Sequence, residues 1–381
     1  MKKINYNRHH IDKKDINAVV KVLKSDFLTQ GKKVQNFEKK ISNFFNCKYT
    51  CAVSSGTAAL HLSAIALNFN KNDLILLSPL TFVASANCAL YCNSKVDFVD
   101  IEPDYYTIDP FKLELKIKKS TKKIKAVIVT DYAGQPSDWK RLKFLSKKYK
   151  FYLINDNCHA LGAKYLNRKD YATKFADIVI QSFHPVKNIT TGEGGAVLTN
   201  NKLIYKKIKL LRSHNIERKF SNWFYDIKSV GYNYRITDIQ SALGISQLTK
   251  LNLFLKKRKM IAKEYDNLLS NNAILKCPVV RDGCSHAYHL YPIRIDFTKL
   301  KISKLIFLKS LLKIGINLQL HYKPLHMLTL YKKKFGKKKF KEAEKYYSET
   351  LSLPIFFDMT LKQVNFVAKN LLKILHLHKK Y

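Results

Sequence analysis

The chain has 381 residues, 46% of them hydrophobic and 12% aromatic, which excludes intrinsic disorder and leaves room for one large domain and one smaller. Its formal net charge is +41, from 69 Lys and Arg against 28 Asp and Glu. These basic residues are spread over the whole length, and the denser runs, KKRK at 256–259 and YKKKFGKKKF at 331–340, carry no aromatic stacking repeat or RNA-binding signature. A solvated lysine-rich exterior is therefore the expected reading, with no nucleic-acid partner.

Seven cysteines, at 47, 51, 88, 92, 158, 277 and 284, include no CxxC pair, and the histidines are not at zinc-finger spacing. Neither a disulfide framework nor a metal site is expected, which points to reduced thiols in the cytoplasm. The basic start, MKKINYNRHHIDKKD, is followed by no apolar signal segment, and no later stretch supplies the ~18 apolar residues of a membrane span. A soluble, cytoplasmic protein without a membrane partner is expected.

Short apolar runs rich in β-branched residues start near residue 47 and alternate with helical patterns to about 200. In order they are CAVSS before TAALHLSAIAL, DLILLS before FVASANCALY, KVDFVD, KAVIVTD before a helix over 138–149, FYLIND, DIVIQSF and GGAVLT. Strands separated in this way predict βα units and a mostly parallel, buried sheet, whose ligands gather at the carboxyl ends of the strands. A long helix is predicted over 237–270, with Thr237 and Asp238 as cap residues. Beyond Pro278 the pattern becomes α+β: a strand over 289–295, a helix over 301–314, a strand over 317–322 and two helices to the C-terminus. The expected division is a large domain over 1–250, with an N-terminal helical segment, and a small α+β domain over 251–381.

Three clusters could carry chemistry. In SSGTAAL (54–60) a strand ends in Ser-Ser-Gly-Thr where a helix starts, which suits a phosphate held by free N–H groups and suits an ordinary helix cap equally well. FYLINDNCHALGA (151–163) puts Asp156 at the end of an apolar strand, with His159 three residues on. Such an acid can cap a helix or hold a proton on the ring nitrogen of a cofactor, and such a histidine is most often a core residue. SFHPVKNITTGEGGAV (182–197) presents Lys187 between two apolar runs on a Gly-rich connection. A phosphate cup, a buried acid and a lysine, in that order, are what an enzyme using pyridoxal 5'-phosphate (PLP) requires.

Together with SPLTFVASAN, GYNYRITDIQSALG and HYKPLH, these segments resemble the DegT/DnrJ/EryC1/StrS family of sugar aminotransferases over nearly the whole chain. The resemblance implies an α/β fold of the PLP-dependent transferase type I, like aspartate aminotransferase, with a mostly parallel seven-stranded sheet. Within the family, FLTQGKKVQNFE (27–38), SFHPVK and HYKPLH followed by SLP (352–354) are most similar to the branch that installs the 4-amino group in pseudaminic acid biosynthesis. The implied reaction moves the amino group of L-glutamate to C4 of a UDP-linked 4-keto-6-deoxy sugar.

By motif position the resemblance makes Lys187 the Schiff-base lysine, Asp156 the partner of the pyridine nitrogen and His159 the neighbour of the ring's 3-oxygen. Phe82, where many relatives carry Trp, would stack on the ring. Gly56, Thr57, Ala58 and Ser182 would hold the phosphate, and Asn233 would reach the phosphate in a partner subunit, so that a homodimer shares its sites. Arg235 would take the donor's carboxylate, while Tyr6, Thr29, Tyr322 and His326 would face the sugar. Cys158 departs from the small Ala or Ser of relatives and raises the expectation of sensitivity to thiol reagents.

Overall fold

The computed structural model describes residues 3–219 and 223–380. Seven strands form the main sheet: β1 (Tyr49–Val53), β2 (Leu74–Leu77), β3 (Lys95–Phe98), β4 (Ile124–Thr130), β5 (Tyr152–Asp156), β6 (Ile178–Ser182) and β7 (Gly195–Thr199). Their spatial order is β1-β7-β6-β5-β4-β2-β3, and β7 alone runs antiparallel to its neighbours. Both faces of the sheet are covered, which is why its strands read as continuous apolar runs.

Alternate residues of each strand point to opposite sides. On one side Ala52, Leu76, Val127, Leu153, Val179 and Leu198 share a core with Phe37, Ile41 and Phe45 of the helix Lys32–Phe45 and with Trp139, Leu142 and Leu145 of the helix Trp139–Tyr149. On the other, Val53, Ile75, Ile128, Ile154, Ile180 and Val197 pack against the helices Gly56–Ala66, Ala84–Tyr91 and Lys202–Leu211. The helix Gly56–Ala66 is buried nearly all round, so it has no polar face to betray it as amphipathic.

A hairpin, β8 (Ile216–Lys219) and β9 (Phe224–Ile227), follows. The long helix predicted over 237–270 forms but divides at Lys250 into Asp238–Thr249 and Leu251–Leu269. Lys250 has φ −100° and ψ −2°, and its ammonium is held by Asp12 (2.9 Å) and Asp15 (2.5 Å) of the N-terminal segment. Thr237 is the N-cap, in a reciprocal capping box with Gln240. Asp238 has a second task, accepting from the N–H groups of Gly31 (2.7 Å) and Lys33 (2.8 Å) and so capping the helix Lys32–Phe45 across the sequence.

The C-terminal part has its own core around a three-stranded antiparallel sheet, β10 (Leu275–Lys276), β11 (Tyr291–Ile295) and β12 (Thr350–Leu353), and that core also takes in Ile4. The strand predicted over 317–322 does not form: Gln319 makes a single bridge to Ser352, and the partner of β11 is β12, whose four residues are all buried. Three helices, Thr329–Phe335, Lys341–Glu349 and Leu361–Leu377, stand where two were expected. The helix Lys304–Lys313 agrees with prediction.

Candidate active site

Because β1, β2 and β4 to β6 run parallel, their carboxyl ends emerge on one edge, where a cavity of about 660 Å³ opens. Ser54, Ser55, Gly56 and Thr57 follow β1, Thr81 and Phe82 follow β2, and Thr130, Asp156 and Ser182 end β4, β5 and β6. The antiparallel β7 begins at the same edge, so the connection carrying Lys187 and Glu193 starts and ends beside the cavity. Tyr6, His289, His321 and Tyr322 close it from the other side.

At the phosphate cup, Ser55 caps the helix Gly56–Ala66 by accepting from the Ala58 N–H at 3.0 Å. The N–H groups of Gly56 and Thr57 make no hydrogen bond to another described residue, as the first turn of a helix requires. A Cβ on Gly56 would lie 3.0 Å from Cβ of Ser182, and one on Gly195 would lie 2.5 Å from the carbonyl carbon of Ser55. Only glycine lets the three backbones meet there, leaving N–H groups and one hydroxyl facing a common space. An anionic phosphate fits that donor set.

Asp156 is buried at the end of β5. Its Oδ2 accepts from Ser85 Oγ at 2.5 Å and its Oδ1 from the Cys158 N–H at 3.4 Å. Ser85 touches Thr81 Oγ1 (3.1 Å), which touches Thr130 Oγ1 (2.8 Å), so a chain of buried hydroxyls orients the carboxylate. Sequence reasoning missed Ser85 although it stands in SPLTFVASAN, because a serine in a helix carries no signal of its partner. Removing that donor leaves a buried charge short of a bond, so Ser85→Ala is expected to cost the cofactor-free protein about 2 kcal/mol, measurable by denaturant unfolding.

Lys187 is half-buried, and its Nζ has no hydrogen bond among the described residues. Burial pushes its ammonium below the ordinary lysine range, against the opposing pull of Cys158 and Asp156. The free amine is thus closer at hand than in a surface lysine. His159 lies deeper: its Nδ1 accepts from the Ala133 N–H (3.3 Å), its Nε2 meets Tyr322 OH (3.2 Å), and His289 packs on its ring at 4.3 Å. Burial, and then the Lys187 charge, hold it neutral by lowering its pKa well below the usual histidine value. His289, also missed from the sequence, is buried with Nδ1 unpartnered among the described residues.

Phe82 is 54% exposed at the mouth, with its ring 5.9 Å from that of Tyr322. Cys158 lines the cavity, yet burial and then Asp156 push its thiol well above the ordinary value, against the expectation drawn from its sequence position. Slow reaction with iodoacetamide at neutral pH is the expected outcome, with the peptide followed by mass spectrometry.

Five residues predicted from the sequence do not line the cavity of their own chain. Ala58, expected to hold the phosphate, is buried, and its N–H is taken by the Ser55 cap at 3.0 Å. Thr29 is exposed and bridges Thr237. Asn233 is exposed and bridges Ser213, and Arg235 is half-buried with its backbone against Val53, at the rim of the phosphate cup. His326 is buried elsewhere, with Nε2 on Glu344 (3.0 Å) and its ring on Phe340.

The sequence profile of the DegT/DnrJ/EryC1/StrS aminotransferase family matches residues 9–372. The chain belongs to this aminotransferase family. It is 42% identical over 377 residues, covering 99% of each chain, to the UDP-4-amino-4,6-dideoxy-N-acetyl-β-L-altrosamine transaminase of Campylobacter jejuni strain 81-176. Among solved structures it is similar to Helicobacter pylori PseC, described as an aminotransferase involved in the biosynthesis of pseudoaminic acid (TM-score 0.92, 36% identity, 99% of this chain and 100% of that one). It is also similar to the PLP form of the sugar aminotransferase Spr1654 from Streptococcus pneumoniae (TM-score 0.91, 27% identity, 98% and 99%).

The fold of this aminotransferase is that of PLP-dependent transferases, and its cofactor is PLP. The cavity's lining suits that cofactor: the N–H groups that follow Ser55, the Asp156 carboxylate, the Phe82 ring and the Lys187 amine all open onto it. Among the described residues no group of His, Cys, Asp and Glu could hold a metal ion, and no helix is long and apolar enough to cross a membrane.

Proposed function

We propose that this aminotransferase moves the amino group of L-glutamate to C4 of UDP-2-acetamido-2,6-dideoxy-β-L-arabino-hexos-4-ulose, giving UDP-4-amino-4,6-dideoxy-N-acetyl-β-L-altrosamine. The observation that carries this reading is the 42% identity, over 99% of both chains, to the C. jejuni transaminase named for that sugar. The cofactor, when bound, supplies the electron sink and carries the amino group between donor and acceptor. The chain's own residues do the rest.

In this reading the N–H groups of Gly56 and Thr57 and the Ser182 hydroxyl hold the phosphate, and Phe82 lies on the ring face. Asp156, oriented by Ser85, keeps a proton on the ring nitrogen, and His159 stays neutral beside the 3-oxygen. Lys187 Nζ takes the proton from Cα of the donor and returns one at C4 of the acceptor, as a base whose ammonium burial has already disfavoured. Arg235, at the rim, takes the donor's carboxylate in its planar fork. Tyr6 and Tyr322, which reach the cavity, face the sugar, and the nucleotide diphosphate adds binding energy remote from the reacting carbon.

A homodimer with shared sites belongs to the same proposal. Its support is the run of exposed apolar side chains on and near the β8–β9 hairpin, Trp223, Phe224, Tyr225, Ile227 and Val230, each at least half exposed. A hairpin is marginal alone in water, and this many exposed large apolar side chains on one short hairpin favours its packing against another chain. Mixing Asn233→Ala with Lys187→Ala subunits is then expected to restore about a quarter of normal activity if half the chains are of each kind and one site in each heterodimer is intact. No recovery on mixing rejects the shared site.

The substrate assignment is tested by glutamate-dependent amination of UDP- and dTDP-linked keto sugars, with products read by NMR and mass spectrometry. C4 amination of the named UDP sugar is expected. Amination at C3, or preference for a dTDP acceptor, rejects this sugar and leaves the aminotransferase standing.

A further inference from the structure

The sequence excludes a membrane span, but a helix lying on a membrane is a different device. Residues 297–341 hold thirteen lysines and no Asp or Glu. The helix Lys304–Lys313 within this run buries Phe307 and Leu311 against the C-terminal core. Its outer face is not the polar face such a helix ordinarily shows. Leu305 (61%) and Leu312 (49%), two turns apart, and Ile306 (50%) next to Leu305 are exposed there, beside the exposed Lys309 and Lys313.

The surface continues into the chain's end. The Lys301 N–H donates to His378 O (2.8 Å) and the Lys380 N–H to Lys299 O (3.0 Å), so the exposed Leu377, Lys379 and Lys380 adjoin the start of the helix. The nearby acids are already paired: Asp296, at the surface, accepts from Thr298 and pairs with Lys299, and Glu349 pairs with Arg294. None of the exposed residues of the helix Lys304–Lys313 or of the C-terminal end lines the active-site cavity.

We propose that the outer face of the helix Lys304–Lys313, with the adjoining C-terminal lysines, docks this enzyme on anionic lipid membranes. A second copy is disfavoured as the occupant, because like charges would face each other. A protein partner fits less well than lipid because interface centres favour Tyr, Trp and Arg and disfavour Lys, whereas this face offers Leu, Ile and Lys on a convex helix. Leucine and isoleucine flanked by lysine are what a surface helix brings to a bilayer, the apolar chains entering the acyl boundary and the ammonium groups meeting phosphate.

Sedimentation with vesicles tests this, using phosphatidylglycerol in phosphatidylcholine against phosphatidylcholine alone. Expected are binding to the anionic vesicles only and its loss at high salt. A chain this basic could adhere through charge in general, so the deciding variant is Leu305→Ser with Leu312→Ser, which leaves the charge untouched. It is expected to weaken binding about tenfold or more while amination of the sugar proceeds at the normal rate. Leu312→Trp should in addition gain fluorescence that brominated lipids quench. Absence of vesicle binding, binding undiminished by the serine pair, or a tryptophan at 312 that brominated lipids leave unquenched each overturns the proposal, as does capture of an acidic protein by the same face in place of lipid.

Discussion

Lys187→Ala is expected to fold and to bind cofactor without holding it covalently, and to lose at least about four orders of magnitude in turnover, the upper range for a lost proton-transfer group and here combined with loss of the covalent anchor. The side chain makes no hydrogen bond among the described residues, so its removal breaks nothing in the fold. Two measurements separate the effects. Borohydride reduction followed by peptide mapping should mark residue 187 in the unchanged enzyme and leave the variant unmarked, and denaturation midpoints of the two cofactor-free proteins should agree. Turnover near normal would remove Lys187 from the mechanism.

Asp156→Asn should cost the next largest factor, about a hundred- to a thousandfold in turnover, in line with removal of a preorganised electrostatic group from a water-poor site. The amide is nearly isosteric and can still accept from Ser85, so the fold is expected to survive. What it lacks is the charge that keeps a proton on the ring nitrogen. The distinguishing readout is the absorbance of bound cofactor as a function of pH, which should shift in Asp156→Asn and stay unchanged in Ser85→Ala. Equal spectra and equal turnover for Asp156→Asn and the unchanged enzyme would reject the pairing.

The main sheet was legible because each strand is buried on both faces and shows as an uninterrupted apolar run: DIVIQSF and GGAVLT gave β6 and β7 directly. Gly56, Thr57, Asp156, His159 and Lys187 were marked by their local pattern and Ser182 and Phe82 only by the family resemblance; all seven line one cavity because they stand at or just after strand ends that parallel strands gather on one edge. Pairings through space were not. Ser85 and His289 act through partners far away in sequence, and nothing local marks them. NLQLHY alternates like a strand, yet the competing TLSL took the place beside β11. The helix over 237–270 is helical throughout by pattern, and at its division Lys250 is held by two aspartates more than two hundred residues away, which no local pattern announces.

The position of β7 also dictates a waiting time. β1 borders no other strand of the main sheet, so it cannot join until β7 has been synthesised and slotted between it and β6. The helix Lys32–Phe45 is delayed further, because the carboxylate that caps it belongs to Asp238. At ordinary elongation rates the ribosome takes roughly 10 to 40 s to make the chain between that helix and Asp238. For that interval the N-terminal strand and helix are emerged but unpartnered, and they are the segments a nascent-chain chaperone would be expected to hold.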